Sequence, residues 1–397
     1  MNETQCAVFQ GIVYYYHEDR VICRYQIVLH DPVEPALLQT ALDSVRPQAG
    51  WYFQKVVWEK REVRLEPNDA PCRVWVGETA PDIPEETNDY LFSLHCAGET
   101  IYFDWFHFLA DGRGFSPFMT QVVMTYCNLR YGTHFVCGSL AEDPPFDPER
   151  LLEEFPESQA PGDGQTQPVE IFKGEPERIR LRLDRDSMVN AAVREGVKPF
   201  SALMGIVCQA SGDYLEKEEL VYSFPADLRG MLGLPNARYN CIATYQLPLK
   251  RTAGARLSSF VQAVDAAIRE VLQPERLRYR MAEQMGFVCR VFQQKAPLRI
   301  QKRVFQMGEY LSGSPADFWV SYLGDPFAPR SPELTRYIRD FQTWVLPEGA
   351  SLAMEVTSLH GVWTLCIENK VHRPGYMQLL RDAFAAEGVT VLEATEL

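Results

Sequence analysis

The chain lacks the marks of an exported, membrane-spanning or metal-binding protein. Its start, Met1-Asn-Glu-Thr-Gln-Cys6, has neither the basic residues nor the apolar run of a secretory signal. No stretch approaches the roughly 18 uninterrupted apolar residues of a membrane helix. These absences predict a cytoplasmic protein with no membrane span. The ten cysteines include no C-x-x-C pair. Cys23, Cys127, Cys208, Cys241 and Cys366 stand among apolar residues, as small core hydrophobes do in a reducing compartment. Neither a disulfide framework nor a zinc site is expected. A G-x-x-x-x-G-K-[ST] phosphate loop is also missing. Positive charge is in deficit: 39 Lys and Arg face 53 Asp and Glu, a formal net charge of −14. Such a surface repels phosphate backbones and argues against a nucleic-acid partner.

What is present is the make-up of a globular protein, 46% hydrophobic and 23% charged over 397 residues. That length exceeds one ordinary core, so two domains are expected. Residues 7–16 and 21–30 read as strands. Pro35 opens a helix carrying Leu37, Leu38, Ala41, Leu42 and Val45 at helical spacing, and Pro47 stops it. Trp51 to Trp58 reads as a strand. Residues 90–96 and 100–107 form a hairpin about Gly98-Glu99. Ser116-Pro117 has the form of an N-cap with proline at the first helical position, opening a helix to about Tyr131. Residues 157–168, polar and rich in glycine and proline, read as a linker. The domains predicted are therefore 1–156 and 169–397. In the second, Arg178 onward alternates charged and apolar residues, as a half-solvated strand does. Helices follow at Phe200–Tyr214, Leu257–Val271 and about 374–386. Strands follow at 240–249, 317–323, 351–357 and 361–368.

The clearest site signal is Thr100-Ile-Tyr-Phe-Asp-Trp-Phe-His107-Phe-Leu-Ala-Asp111-Gly112-Arg-Gly114. Strand alternation puts Ile101, Phe103, Trp105 and His107 on one face. His107 then stands at the strand end, before a turn made by Asp111-Gly112 and Gly114. A histidine there can serve as a general base, since its reference pKa of about 6.5 lets it accept a proton at neutral pH. Asp111 need not touch His107, and as a buried carboxylate it requires a partner. A core histidine beside an ordinary turn would give the same local pattern. His30-Asp31 reads as a turn between a strand and a proline. His95 and Cys96 lack a third ligand at suitable spacing for a metal.

The segment resembles the H-x-x-x-D-G motif of the acyl-CoA-dependent acyltransferase superfamily. That group includes chloramphenicol acetyltransferase, alcohol acetyltransferases and the condensation domains of peptide synthetases. A second resemblance is Phe224-Pro-Ala-Asp227-Leu-Arg229, followed by Leu232-Gly233 and Asn240. It is similar to the family's segment in which an arginine precedes a glycine/asparagine crossover. A third is Asp317-Phe-Trp-Val-Ser321-Tyr-Leu-Gly324, like the family's serine-containing strand ending in glycine. The three span residues 100–324, and the N-terminal strand–helix–strand region and the last helix also look family-like. Two departures stand out. Phe106 precedes His107 where many condensation domains have a second histidine, and Tyr322 stands where many relatives carry asparagine.

The resemblance implies an α/β (α+β) fold of two chloramphenicol-acetyltransferase-like domains, each a mixed sheet flanked by helices, with a channel between them. It implies transfer of an acyl group from a coenzyme A thioester to a small-molecule hydroxyl or amine, without an acyl-enzyme and without a permanently bound cofactor. His107 would be the base. Asp111 would be structural, ion-paired with Arg229 across the two halves. Gly112 and Gly114 would let the backbone approach the acyl chain closely. Ser321 or Tyr322 would donate to the oxyanion. Two alternatives remain open: a free-standing condensation-type enzyme served by a separate acyl carrier protein, and a non-catalytic relative that binds a ligand or partner.

Overall fold

The computed structural model describes residues 21–61, 63–137, 148–156, 169–170, 172, 174–251, 257–293, 296–304, 316–345 and 350–397. The strand expected at 7–16 and the linker expected at 157–168 lie outside the described residues.

Two sheets organise the chain. In the first lobe, β1 (Ile22–Leu29) alternates half-buried and buried positions. It pairs antiparallel with β6 (Thr100–Phe106), which pairs with β5 (Phe92–Ala97) around the expected hairpin. The five-stranded order is β11-β1-β6-β5-β4, where β4 is Val74–Val76 and β11 is Ile338–Val345. β2 (Gln54–Trp58) and β3 (Val63–Pro67) form a separate two-stranded ribbon. Helix α1 (Pro35–Val45) begins with proline, where the missing N–H costs nothing, and buries Leu38, Ala41, Leu42 and Val45 on one stripe.

Helix α2 (Gly112–Tyr131) covers the first sheet, and here the structure corrects a reading. The N-cap is Asp111, whose side chain accepts from the Gly114 N–H, and not Ser116. Pro117 lies inside the helix. A carboxylate cap at Asp111 competes better for the orphan N–H groups than a serine five residues later. Ser116 Oγ donates instead to the Gly112 carbonyl at 2.7 Å. Aromatic packing fixes the helix on the sheet: Phe115 stacks on Trp105 at 4.2 Å between ring centroids and meets Tyr25 edge-on at 6.3 Å. Burying a ring such as Phe115 is worth about 1.5–3 kcal/mol.

The second lobe carries a seven-stranded sheet, β14-β7-β13-β12-β10-β8-β9. Its strands are β7 (Glu177–Asp184), β8 (Glu219–Asp227), β9 (Ile242–Lys250), β10 (Ala316–Gly324), β12 (Ala350–Leu359), β13 (Val362–Asn369) and β14 (Val391–Glu396). The helix Pro199–Leu215 is buried along most of its length, with Leu257–Val271 and Tyr376–Ala386 packed on it.

One crossing ties the lobes together. β10 and β12 are parallel neighbours in the second sheet, yet the chain between them leaves to form β11 in the first. Residues Ile338–Val345 pair antiparallel with Cys23–Leu29, all of β1 but its first residue. Parallel neighbours require a long crossover, and here that crossover supplies an edge strand to the other lobe. Among the described residues no helix is long and apolar enough to cross a membrane.

Candidate active site

β6 ends at Phe106, so His107 is the first residue beyond the strand rather than its last. Its backbone N–H donates to the Val21 carbonyl at 2.9 Å, extending the pairing with β1 by one bond. Its own carbonyl accepts from Asn240 Nδ2 of the second lobe at 2.7 Å, and that amide also reaches the Phe108 carbonyl at 3.3 Å. Trp105 Nε1 donates to the Ala110 carbonyl at 2.8 Å, drawing the turn back onto the strand. The His107 residue is 9% exposed.

Asp111 closes the turn. It is 3% exposed, and it is held by donors from both lobes. Gly114 N–H donates to Oδ1 at 2.7 Å and Cys241 N–H to Oδ2 at 2.8 Å. Arg229 Nη2 reaches both carboxylate oxygens, at 2.9 and 3.0 Å. The guanidinium is held on all three nitrogens, with Nε on the Ala237 carbonyl, Nη1 on Asp227 and Nη2 also on the Tyr239 carbonyl. Burial works against its charge, but Asp111, Cys241 and Asp227 outweigh that and raise its pKa above the ordinary arginine value. A buried charge pair is stable only when its remaining hydrogen-bonding capacity is met, and here the surrounding backbone meets it.

The glycines of the turn make room for the protein's own atoms. A Cβ at Gly114 would lie 2.5 Å from the Arg238 carbonyl oxygen, and one at Gly112 would lie 2.8 Å from the Tyr25 hydroxyl. That hydroxyl donates to the Gly112 carbonyl at 2.6 Å.

The third motif divides. Tyr322 is 45% exposed and its ring meets Phe200 and Trp363, at 5.8 and 5.5 Å. Successive strand residues point to opposite faces. Ser321 therefore lies on the other face. Leu323, at the irregularity between Tyr322 and Gly324, brings a methyl group within 3.6 Å of a Cβ built at Gly112, so this end of β10 lies beside the His107 turn. The structure brings together His107, Asp111, Gly112, Arg229 and the Ser321 face of β10, and turns Tyr322 away.

His95 is engaged elsewhere. Its Nε2 lies 2.7 Å from Asp104 and its Nδ1 2.9 Å from the Gly77 carbonyl, on the sheet face opposite α2. Arg24 also holds Asp104, with Nε at 2.6 Å. Among the described residues no group of His, Cys, Asp and Glu could hold a metal ion.

No protein-family model matches the chain, and no curated protein matches it. Solved structures do. Polyketide synthase associated protein 5 from Mycobacterium tuberculosis superposes with a TM-score of 0.65 at 14% identity, covering 96% of each chain. The TRI3 trichothecene 15-O-acetyltransferase from Fusarium sporotrichioides gives 0.61 at 12% identity, covering 97% of this chain and 93% of the other. A variant of the starter condensation domain of rhizomide synthetase RzmA, in complex with C8-CoA, gives 0.59 at 15% identity, covering 97% and 93%. This is the chloramphenicol-acetyltransferase-like fold. The likeness runs through both lobes, so the His107 turn lies within the fold shared with those proteins.

One further acid is buried in the second sheet. Glu355 lies in β12 between Met354 and Val356 and is 4% exposed. A glutamate within a run as apolar as Leu352-Ala-Met-Glu-Val is the signal that could have found it.

Proposed function

We propose that the protein transfers an acyl group from a coenzyme A thioester to a hydroxyl or amine, with His107 as general base. The observation that carries this reading is the clamp on the His107 turn. Asn240 and Arg229 of the second lobe hold it from the outside, at 2.7 Å on the His107 carbonyl and 2.9 Å on Asp111. A base must be fixed relative to both reactants, and a turn tied to two lobes meets that requirement. The fold supports the choice of chemistry: one structure that the chain resembles is an acetyltransferase and another was solved with an acyl-coenzyme A.

In the reaction, neutral His107 takes the proton of the acceptor O–H or N–H as that atom attacks the thioester carbonyl. The former carbonyl oxygen carries the negative charge of the tetrahedral intermediate, and Ser321 donates to it. The intermediate collapses by breaking the carbon–sulfur bond. The departing thiolate takes the proton held on His107, and no acyl-enzyme forms. Asp111 and Arg229 keep the turn in place and exchange no proton. Coenzyme A passes through as co-substrate.

Thiol release from acetyl-, butyryl- and longer acyl-coenzyme A, with a panel of alcohols and amines, tests the reading. Acceptor-dependent release that drops by about a hundredfold in His107→Ala is the expected result. Equal rates in wild type and variant would remove His107 from the mechanism. Release only from thioesters on a separate carrier protein would identify condensation-type chemistry. A melting temperature raised by coenzyme A without turnover would identify a binding protein.

A further inference from the structure

Among the buried groups that the reaction above leaves unused, Glu355 is the one placed to act on it. The parallel register of β10 and β12 sets Glu355 opposite Ser321, so both side chains stand on the sheet face that meets the first lobe. The two share a side-chain hydrogen bond. The other titratable groups around the glutamate are Cys23 and Tyr25 from β1 with Cys366 and Glu368 from β13. Cys23 pairs with Trp105 of β6, two residues before His107, which puts this cluster beneath the strand that leads into the His107 turn. Among the described residues no cation is in the set of groups that shift Glu355. Burial pushes its carboxyl up to about 8, with Glu368 adding to the shift and the Ser321 hydroxyl opposing it in part. At neutral pH the group therefore keeps its proton.

We propose that Glu355 is a positioning residue, which donates a hydrogen bond to Ser321 Oγ and so frees the Ser321 proton to point at the acyl carbonyl oxygen. The inference rests on the acyl-transfer reading and assigns the oxyanion donor its orientation. A serine beside a carboxylate gives its proton to that carboxylate and presents lone pairs to the substrate, which an oxyanion repels. Beside a carboxylic acid the roles reverse. The acid donates, the serine oxygen accepts, and the serine O–H is left to stabilise developing charge. Bonds in such a chain polarise one another in a low-dielectric site. Glu355 touches no substrate and exchanges no proton in the reaction.

A mutant cycle on the full chain decides the matter. Ser321→Ala should lower kcat by about a hundredfold, the scale of a lost oxyanion donor. Glu355→Ala should lower kcat by about tenfold and leave the KM for the acyl donor unchanged, as expected for a loss confined to the transition state. Glu355→Gln, whose amide N–H can donate in the same place and which preserves shape, should stay within about threefold of wild type. The double variant Ser321→Ala/Glu355→Ala should be no slower than Ser321→Ala alone. Wild-type activity should fall as pH rises through about 8, and Glu355→Gln should lose that fall. A protonated-carboxyl band in the infrared spectrum at neutral pH should disappear in Glu355→Gln. Multiplicative losses in the double variant, failure of glutamine to rescue, or no infrared band to lose would each overturn the proposal while leaving acyl transfer intact. A wild type inert toward every thioester would instead refute the acyl-transfer reading, and the positioning role would fall with it.

Discussion

Asp111 and Glu355 are both buried carboxyl groups where the two lobes meet, and the protein treats them in opposite ways. Asp111 receives a guanidinium and two backbone N–H groups. Glu355 receives a serine hydroxyl, a tyrosine, two thiols and another acid as neighbours. A carboxyl that must stay charged in the interior needs a cation and a full set of donors. One that is given neither keeps its proton and becomes a hydrogen-bond donor. The first arrangement locks two lobes together, and the second, on our proposal, orients a neighbour. Composition would not separate them, because the difference lies in what each strand or turn sets across from the acid.

The comparison can be broken most severely at Arg229. Arg229→Ala leaves Asp111 buried without its cation and should cost about 3–5 kcal/mol of stability, read by chemical denaturation. The counterpart on the other acid is Glu355→Gln, and its effect depends on pH. The folded-state pKa of about 8 lies above the ordinary 4.5, so the folded protein keeps a proton that the unfolded chain releases. Wild-type stability should therefore decline between about pH 5 and 8 and level off above. Glu355→Gln should remove that decline, a gain of about 4–5 kcal/mol at the alkaline end, measured by melting curves across pH. Asn240→Ala withdraws the amide from the His107 carbonyl and should cost about 1–2 kcal/mol, with a loss of kcat showing that the clamp positions the base. The smallest effect belongs to Tyr25→Phe. The Gly112 carbonyl would keep its bond from Ser116 Oγ at 2.7 Å, so the melting temperature should register about 1 kcal/mol or less.

Much of this was legible in the residues themselves. The hairpin about Gly98-Glu99, the helix opened by Pro35 and stopped at Pro47, and the alternation after Arg178 each rest on local signals, and each has its counterpart in β5–β6, α1 and β7. The start of α2 is ambiguous in the sequence because two cap signals, Asp111 and Ser116, lie five residues apart. Ser116-Pro117 is the commoner pattern, but Asp111 sits where the free N–H groups of the helix are. β11 escaped notice for a different reason. Gln342 and Thr343 are buried in its middle and break any apolar period, and its pairing partner lies near the other end of the chain. Arg229 and Asp111 could be matched from their motifs, but which of Ser321 and Tyr322 faces the turn depends on how the sheet is oriented in the fold. Local sequence does not carry that orientation. Glu355 needed the register of β10 on β12 before it meant anything.

The excursion of β11 into the first sheet has a consequence for how the protein is made. A nascent chain emerges from its N-terminus, so β1 and β6 appear early, while the strand that covers the free edge of β1 waits for Ile338–Val345. Until then the first lobe presents an open strand edge, the feature most prone to pairing with another chain. A fragment cut after the first lobe would retain that exposed edge for good. It should aggregate where the whole protein does not, and adding the 338–345 segment as a separate peptide should relieve it.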